Sequence, residues 1–250
     1  MLKAMLAVSM VLATALSAFA GDGRKIIGGD EAAAWSGVGR LNIAGNRFCT
    51  ATMISDRHVI TAAHCLYNPR TKSRVEISEM RFVAGLRRGD YAAVRRIAAA
   101  ATLPDYTYDS TATMARIASD VALLELETPI DVVTFPALDA RVSDRPMTLV
   151  SYARDRAYAP SIEHGCETVR TQGVVFALTC DVTFGASGAP VFAMVAGRPR
   201  VVALVSAMGR VGEEKVALAV SVNHALSELA ATLARDAARP PRSIAVARVD

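Results

Sequence analysis

The chain has 250 residues, 52% of them hydrophobic and 21% charged, with a formal net charge of 28 − 24 = +4. So small a positive balance marks out no polyanionic partner, and no nucleic-acid binding is expected. The longest apolar run falls short of the ~20 residues that span a bilayer. The sequence also holds neither a C-x-x-C pair nor an H-E-x-x-H motif, so no metal or other cofactor is expected.

Lys3, the apolar stretch 4–16 and the small-x-small site Ala18-Phe19-Ala20 read as a secretory signal peptide over residues 1–20. Export accounts for the cysteines. Cys49, Cys65, Cys166 and Cys180 are even in number, and in an oxidising compartment they point to two disulfides. The signal leaves open whether the destination is the periplasm or the outside medium, and once it is removed no membrane association is expected. Residues 21–25 end in Arg24-Lys25 before Ile26-Ile27-Gly28-Gly29, which reads as a short propeptide with a basic processing site.

Beyond Ile26 the pattern is of short apolar strands between turn residues, at 39–44, 49–54, 58–63, 80–84 and 91–97. A second series follows at 121–126, 147–152, 168–178, 190–195, 201–206 and 216–220. Asn223 is placed to cap one helix, in which Leu226, Leu229, Ala230 and Leu233 recur at helical spacing. Arg239-Pro240-Pro241 ends it, and Arg235, Arg239, Arg242 and Arg248 gather toward a solvated, flexible end, with the tail at 238–250. A core of about 225 residues is large for one small barrel, and two barrels divided within 127–139 would use it better.

Three segments carry chemistry: Thr61-Ala62-Ala63-His64-Cys65, Ser119-Asp120-Val121-Ala122-Leu123-Leu124 and Gly185-Ala186-Ser187-Gly188-Ala189-Pro190. A serine hydroxyl is a weak nucleophile near neutral pH and needs a base within hydrogen-bond reach. Imidazole suits that task because its pKa lies near the working pH. A carboxylate must then fix the imidazole tautomer and stabilise the cation that forms. Small residues beside the serine leave backbone N–H groups open to a developing oxyanion. Singly, His64 could be a core histidine, Asp120 a turn residue and Ser187 part of a small-residue turn. Together, in the order His, Asp, Ser, they point to nucleophilic hydrolysis.

These segments resemble the three signatures of the trypsin-like serine protease family, and Ile26-Ile27-Gly28-Gly29 resembles that family's activated N-terminus. The resemblance implies an all-β fold of two six-stranded antiparallel barrels with a C-terminal helix. The expected divisions are 26–130, 131–222 and the helix 223–237, with the catalytic cleft between the barrels. It further implies His64 as general base and acid, Asp120 as its orienting group and Ser187 as nucleophile. The N–H groups of Gly185 and Ser187 would form the oxyanion hole, and the pairings Cys49–Cys65 and Cys166–Cys180 would form the disulfides. The implied substrate is a protein or peptide, and the implied state a monomer.

Ala186 departs from the family pattern, because many animal members carry there the aspartate that pairs with the new N-terminal ammonium. Bacterial members resembling the glutamyl endopeptidase branch also lack it, and Cys180-Asp181-Val182-Thr183-Phe184-Gly185 is similar to that branch. Asp181 has two readings: the floor of a pocket for a cationic side chain, or a turn residue following a disulfide. Ser206 resembles the residue lining the substrate backbone, and Met208, in place of a glycine, would narrow the pocket mouth. His164 reads as a loop histidine or a cleft-lining one. Two other functions compete. One is a protease homologue that binds a partner without catalysis. The other is an α/β-hydrolase using Ser187 and His224, but that fold needs Gly-x-Ser-x-Gly on an elbow, and here Ala189 takes the last glycine's place.

Overall fold

A computed structural model describes residues 23–109, 111–138 and 146–238. The expected signal peptide and most of the tail lie outside the described residues. In chain order the strands are β1 (Lys25–Ile26), β2 (Val38–Ile43), β3 (Arg47–Met53), β4 (His58–Thr61), β5 (Met80–Ala84), β6 (Ala93–Thr102) and β7 (Ala122–Leu126). There follow β8 (Met147–Ser151), β9 (Ser161–Cys166), β10 (Thr168–Gln172), β11 (Val175–Leu178), β12 (Pro190–Val195), β13 (Arg198–Val211) and β14 (Glu214–Ser221). Among the described residues three α-helices join them: α1 (Gly29–Ala32), α2 (Met114–Ala118) and α3 (Asn223–Ala238).

Strands β2 to β7 form a closed antiparallel barrel in the order β2-β3-β4-β7-β6-β5. It closes because β2 pairs on both edges, with β3 through Leu41↔Cys49 and with β5 through Leu41↔Phe82. Side chains on its inward face, such as Leu41, Met53, Val59, Phe82 and Leu124, are fully buried. Each such apolar side chain withdrawn from water contributes roughly 1.5–3 kcal/mol. The second unit is an eight-stranded sheet in the order β1-β9-β8-β12-β13-β14-β11-β10.

Two of its eight strands arise from features the periodicity conceals. The run 168–178 is a hairpin, not one strand: β10 and β11 pair from Thr168↔Leu178 to Gln172↔Val175, and Gly173 turns the chain at φ +59°. β9 has no alternating apolar pattern, yet pairs with β8 along Val150↔Ile162. At the far edge β1 joins β9 through Lys25↔Ile162 and Ile26↔Ser161.

One hydrophobic cluster spans the two units, and a second lies within the eight-stranded sheet. Trp35 stacks on Phe135 with ring centroids 5.5 Å apart, and both rings contact Phe192 of β12, at 5.2 and 4.9 Å. Helix α3 belongs by sequence to the second unit but packs on β6 and β7 of the barrel, burying Ala225, Leu229 and Leu233. Asn223 is its first helical residue rather than its cap. Disulfides join Cys49 to Cys65 and Cys166 to Cys180. Among the described residues, no helix is long and apolar enough to cross a membrane.

Candidate active site

Three segments meet where the barrel faces the second sheet. After β4 the chain turns into a short 3-10 turn, Ala63–Leu66, which carries His64. Cys65 in that turn is bonded to Cys49 of β3, so the imidazole stands at the root of a covalent loop. Asp120 lies between α2 and β7. The Thr113 hydroxyl caps α2 by accepting from Arg116 N, and Asp120 N–H donates to Ile117 O at 3.1 Å. The carboxylate that follows is 3% exposed.

Asp120 accepts three hydrogen bonds. His64 N–H donates to Oδ1 at 2.8 Å, and the ring Nδ1 donates to Oδ2 at 2.7 Å. The Ser206 hydroxyl donates to the same Oδ2 at 2.5 Å. Ser206 reaches Asp120 because β13 bulges between Val205 and Ala207, and a bulge re-aims the side chain it carries. The Ser206 side chain therefore serves the carboxylate, and only its backbone is left for the substrate-lining role expected of it. With Nδ1–H engaged, the neutral imidazole presents Nε2 as an acceptor. Burial acts to lower the His64 pKa, while the Asp120 charge and hydrogen bond together outweigh it against a smaller opposing effect of Arg47. The net shift is upward from the ordinary 6.5. Beside this pair opens a cleft lined by Tyr106, Tyr108, Arg116 and Ser206. Burial foremost, and then the Asp120 charge, push the Tyr106 phenol upward, so that it stays neutral.

Ser187 sits in a pair of consecutive turns. Ala186 N–H donates to Thr183 O at 3.0 Å, and Ala189 N–H to Ala186 O at 2.9 Å. The third residue of each turn is a glycine with positive φ, Gly185 at +97° and Gly188 at +75°, where type II turns require one. Each carbonyl that precedes a key N–H is held. Phe184 O accepts from Arg154 N at 2.7 Å, and Ala186 O from Ala189 N. Among the described residues no peptide bond is cis, and in a trans peptide the N–H points opposite its carbonyl. The Gly185 and Ser187 N–H groups are thereby aimed away from these anchors, and among the described residues neither donates a hydrogen bond.

The loop is fixed against the barrel by Thr50. Its N–H donates to Ser187 O at 2.9 Å, and its buried hydroxyl lies 3.0 Å from Gly185 O and 3.2 Å from Tyr152 O. Gly188 N–H donates to Val205 O at 2.7 Å, and the Gly188 Cα faces Thr61 and Ala62, just before His64. His64, Asp120 and the Ser187 loop are thus brought to one place. Among the described residues no hydrogen bond joins Ser187 Oγ to the imidazole, a contact that commonly tightens only with substrate bound.

The remaining expected residues lie around this centre. Asp181 is mostly exposed and 3.4 Å from Arg24 Nη2, and its N–H donates to Glu163 Oε2 at 2.9 Å. Met208 is half exposed on β13. The His164 ring meets the Thr148 hydroxyl at 3.0 Å across β8 and β9. His224 hydrogen-bonds Ala118 O from the start of α3, a contact unrelated to Ser187. The sequence does not point to Thr50 or Arg154, and it marks Arg24 only as part of a basic processing site. Each acts through backbone contacts or a distant ion pair, for which no local pattern exists.

A closed barrel, a second antiparallel sheet and a terminal helix define a chymotrypsin-like serine protease fold. A solved Glu endopeptidase in complex with MPD is similar at TM-score 0.68 and 15% sequence identity, over 86% of this chain and 98% of that one. The Trypsin family profile matches residues 26–153, just over half the chain, and the chain belongs to the trypsin family. His64 and Asp120 lie inside the matched span and Ser187 beyond it. Among curated proteins no match is found.

Proposed function

We propose that the protein is an exported serine endopeptidase that cleaves peptide bonds through an acyl-enzyme on Ser187. The observation that carries this reading is the His64–Asp120 pair set beside a double turn with two unengaged N–H groups. In the proposed cycle His64 Nε2 takes the Ser187 proton as Oγ bonds to the scissile carbonyl carbon. The carbonyl oxygen becomes an oxyanion and accepts from Gly185 and Ser187 N–H. Collapse breaks the C–N bond, and His64 returns its proton to the departing amine. A water then repeats the sequence against the ester, with the acid product leaving and Ser187 Oγ regaining its proton. Asp120 keeps the imidazole in the useful tautomer and stabilises its cation. The substrate is a protein or peptide, acted on by a monomer in the periplasm or outside the cell.

The pH dependence follows from the base. Only neutral His64 can accept the Ser187 proton, and its pKa is raised above the ordinary 6.5. Activity is therefore expected to fall as pH drops through a value above 6.5, not below it. A profile of kcat/KM against pH in the free enzyme reads this value directly.

The proposal is tested by labelling the purified exported protein with a fluorophosphonate, with Ser187→Ala as control. Stoichiometric labelling of the wild type alone is the expected result. A folded wild type that does not label would sink the enzyme reading and favour a binding role for the same fold.

A further inference from the structure

In many animal relatives a freed N-terminal ammonium orders the loop before the serine by pairing with an aspartate, and here that position is the fully buried Ala186. The N-terminal segment supplies a buried cation from another direction. The Arg24 side chain is 6% exposed, and its Nη2 lies 2.9 Å from Asp155 Oδ2 and 3.4 Å from Asp181 Oδ2. Its backbone carbonyl accepts from Arg156 Nη1 at 2.9 Å, and Arg156 Nη2 lies 3.5 Å from Asp155.

The two carboxylates that Arg24 joins belong to the two anchors of the Ser187 loop. Asp155 sits in the 3-10 turn Arg154–Arg156, whose Arg154 N–H holds Phe184 O and so aims the Gly185 N–H. Asp181 is where the loop leaves the Cys166–Cys180 disulfide. Arg24 thus ties the turn that sets the Gly185 peptide to the root of the segment that carries it. The pairing of β1 with β9 holds Arg24 in register. Arg24 Nε and Nη1 are buried without hydrogen-bond partners, so Asp155 and Asp181, with the charge of Glu163 nearby, compensate the guanidinium, and losing the closer Asp155 would weaken that compensation most.

We infer that Arg24 is a positioning residue for the oxyanion-binding loop, and that the working enzyme keeps Arg24 and Lys25 attached instead of shedding them to free Ile26. The inference rests on the proposed function above. Cleavage after Lys25 would remove the clamp, so it would disarm the site.

The test follows pre-steady-state acylation by p-nitrophenyl acetate, a small ester that needs no side-chain pocket, in the exported full chain. Arg24→Met is expected to lower the acylation rate constant about tenfold or more with the ester's apparent Ks unchanged, because loss of a single oxyanion donor typically costs ~10²–10³. Arg24→Lys should keep most of the rate. Intact mass of the fluorophosphonate adduct should show that the labelled molecules retain Arg24. Should Arg24→Met fail to fold by near-UV circular dichroism, Asp155→Asn, at a half-exposed position, reads the same coupling. Labelled molecules that all begin at Ile26, or a folded Arg24→Met or Asp155→Asn that acylates at the wild-type rate, would overturn the inference while leaving the protease reading intact. A wild type that neither labels nor acylates would overturn both.

Discussion

Asp120→Asn is expected to lower kcat by about 10⁴ near neutral pH while leaving the fold and KM nearly unchanged, the magnitude known for this substitution in a Ser-His-Asp triad. The carboxylate is an acceptor at both oxygens, and three donors converge on it: His64 N–H, His64 Nδ1–H and the Ser206 hydroxyl. An asparagine can keep one of these arrangements. If its oxygen faces His64 N–H, its amide must face Nδ1, which then has to accept. The proton moves to Nε2, and the ring can no longer take one from Ser187. The same substitution removes the charge and hydrogen bond that raise the His64 pKa and leaves burial, the largest opposing cause, uncompensated. The residual activity should therefore titrate below the wild-type value. Steady-state kinetics across pH measure both effects, and a variant with unaltered kcat would mean that Asp120 plays no part in the reaction. Ser206→Ala should have a far smaller effect, since Asp120 then keeps both bonds to His64.

Strands β2 and β5 of the barrel and β12 of the second sheet were legible as apolar runs between turn residues, and their bounds fall within a residue of those runs. β2 alternates along part of its length, while β5 and β12 are nearly continuous buried runs. What the pattern could not show was pairing that ignores it. β9 contains Glu163, His164 and Gly165, and is a strand because β8 and β1 flank it, with cross-strand hydrogen bonds supplying what apolar alternation does not. The hairpin at Gly173 was hidden because both of its arms continue one β-prone run. β13 runs to Val211, well beyond its apolar stretch, because β14 extends alongside it.

The candidate site divides in the same way. His64, Asp120 and Ser187 stand in short segments whose residue types state their chemistry. The groups that hold them do not. Thr50 is one more residue of a buried strand until its N–H and hydroxyl are seen to bind Ser187 O and Gly185 O from the other unit. Ser206 is read differently once the bulge turns it toward Asp120. Arg24 reads as half of a basic processing site by sequence, and becomes a buried ion-pair partner 131 residues from Asp155 only in three dimensions.

Gly188→Ala should be the most damaging single methyl addition in the loop. A Cβ there would stand 2.8 Å from Ala62 N and closer still to Thr50 O and the Thr61 hydroxyl. Two of these atoms are backbone, and the third cannot swing away cheaply, because Thr61 is fully buried and its hydroxyl donates to Thr50 O at 2.8 Å. Positive φ at +75° adds strain to the overlap. Overpacking of about 1–3 kcal/mol and left-handed backbone of about 1–2 kcal/mol give an expected loss near 3 kcal/mol in urea unfolding. Gly197→Ala separates the two contributions. That residue has φ +73° but nothing within 4 Å of an added Cβ, so it should lose only about 1–2 kcal/mol and no activity. At residue 188 the barrel and the loop can relax only by moving apart, which shifts Ser187 from His64. A displacement of that order costs about 10² in turnover. Equal losses of stability in the two variants would show that Thr50, Thr61 and Ala62 give way without strain, and the close fit of the loop to the barrel would then have no part in holding Ser187.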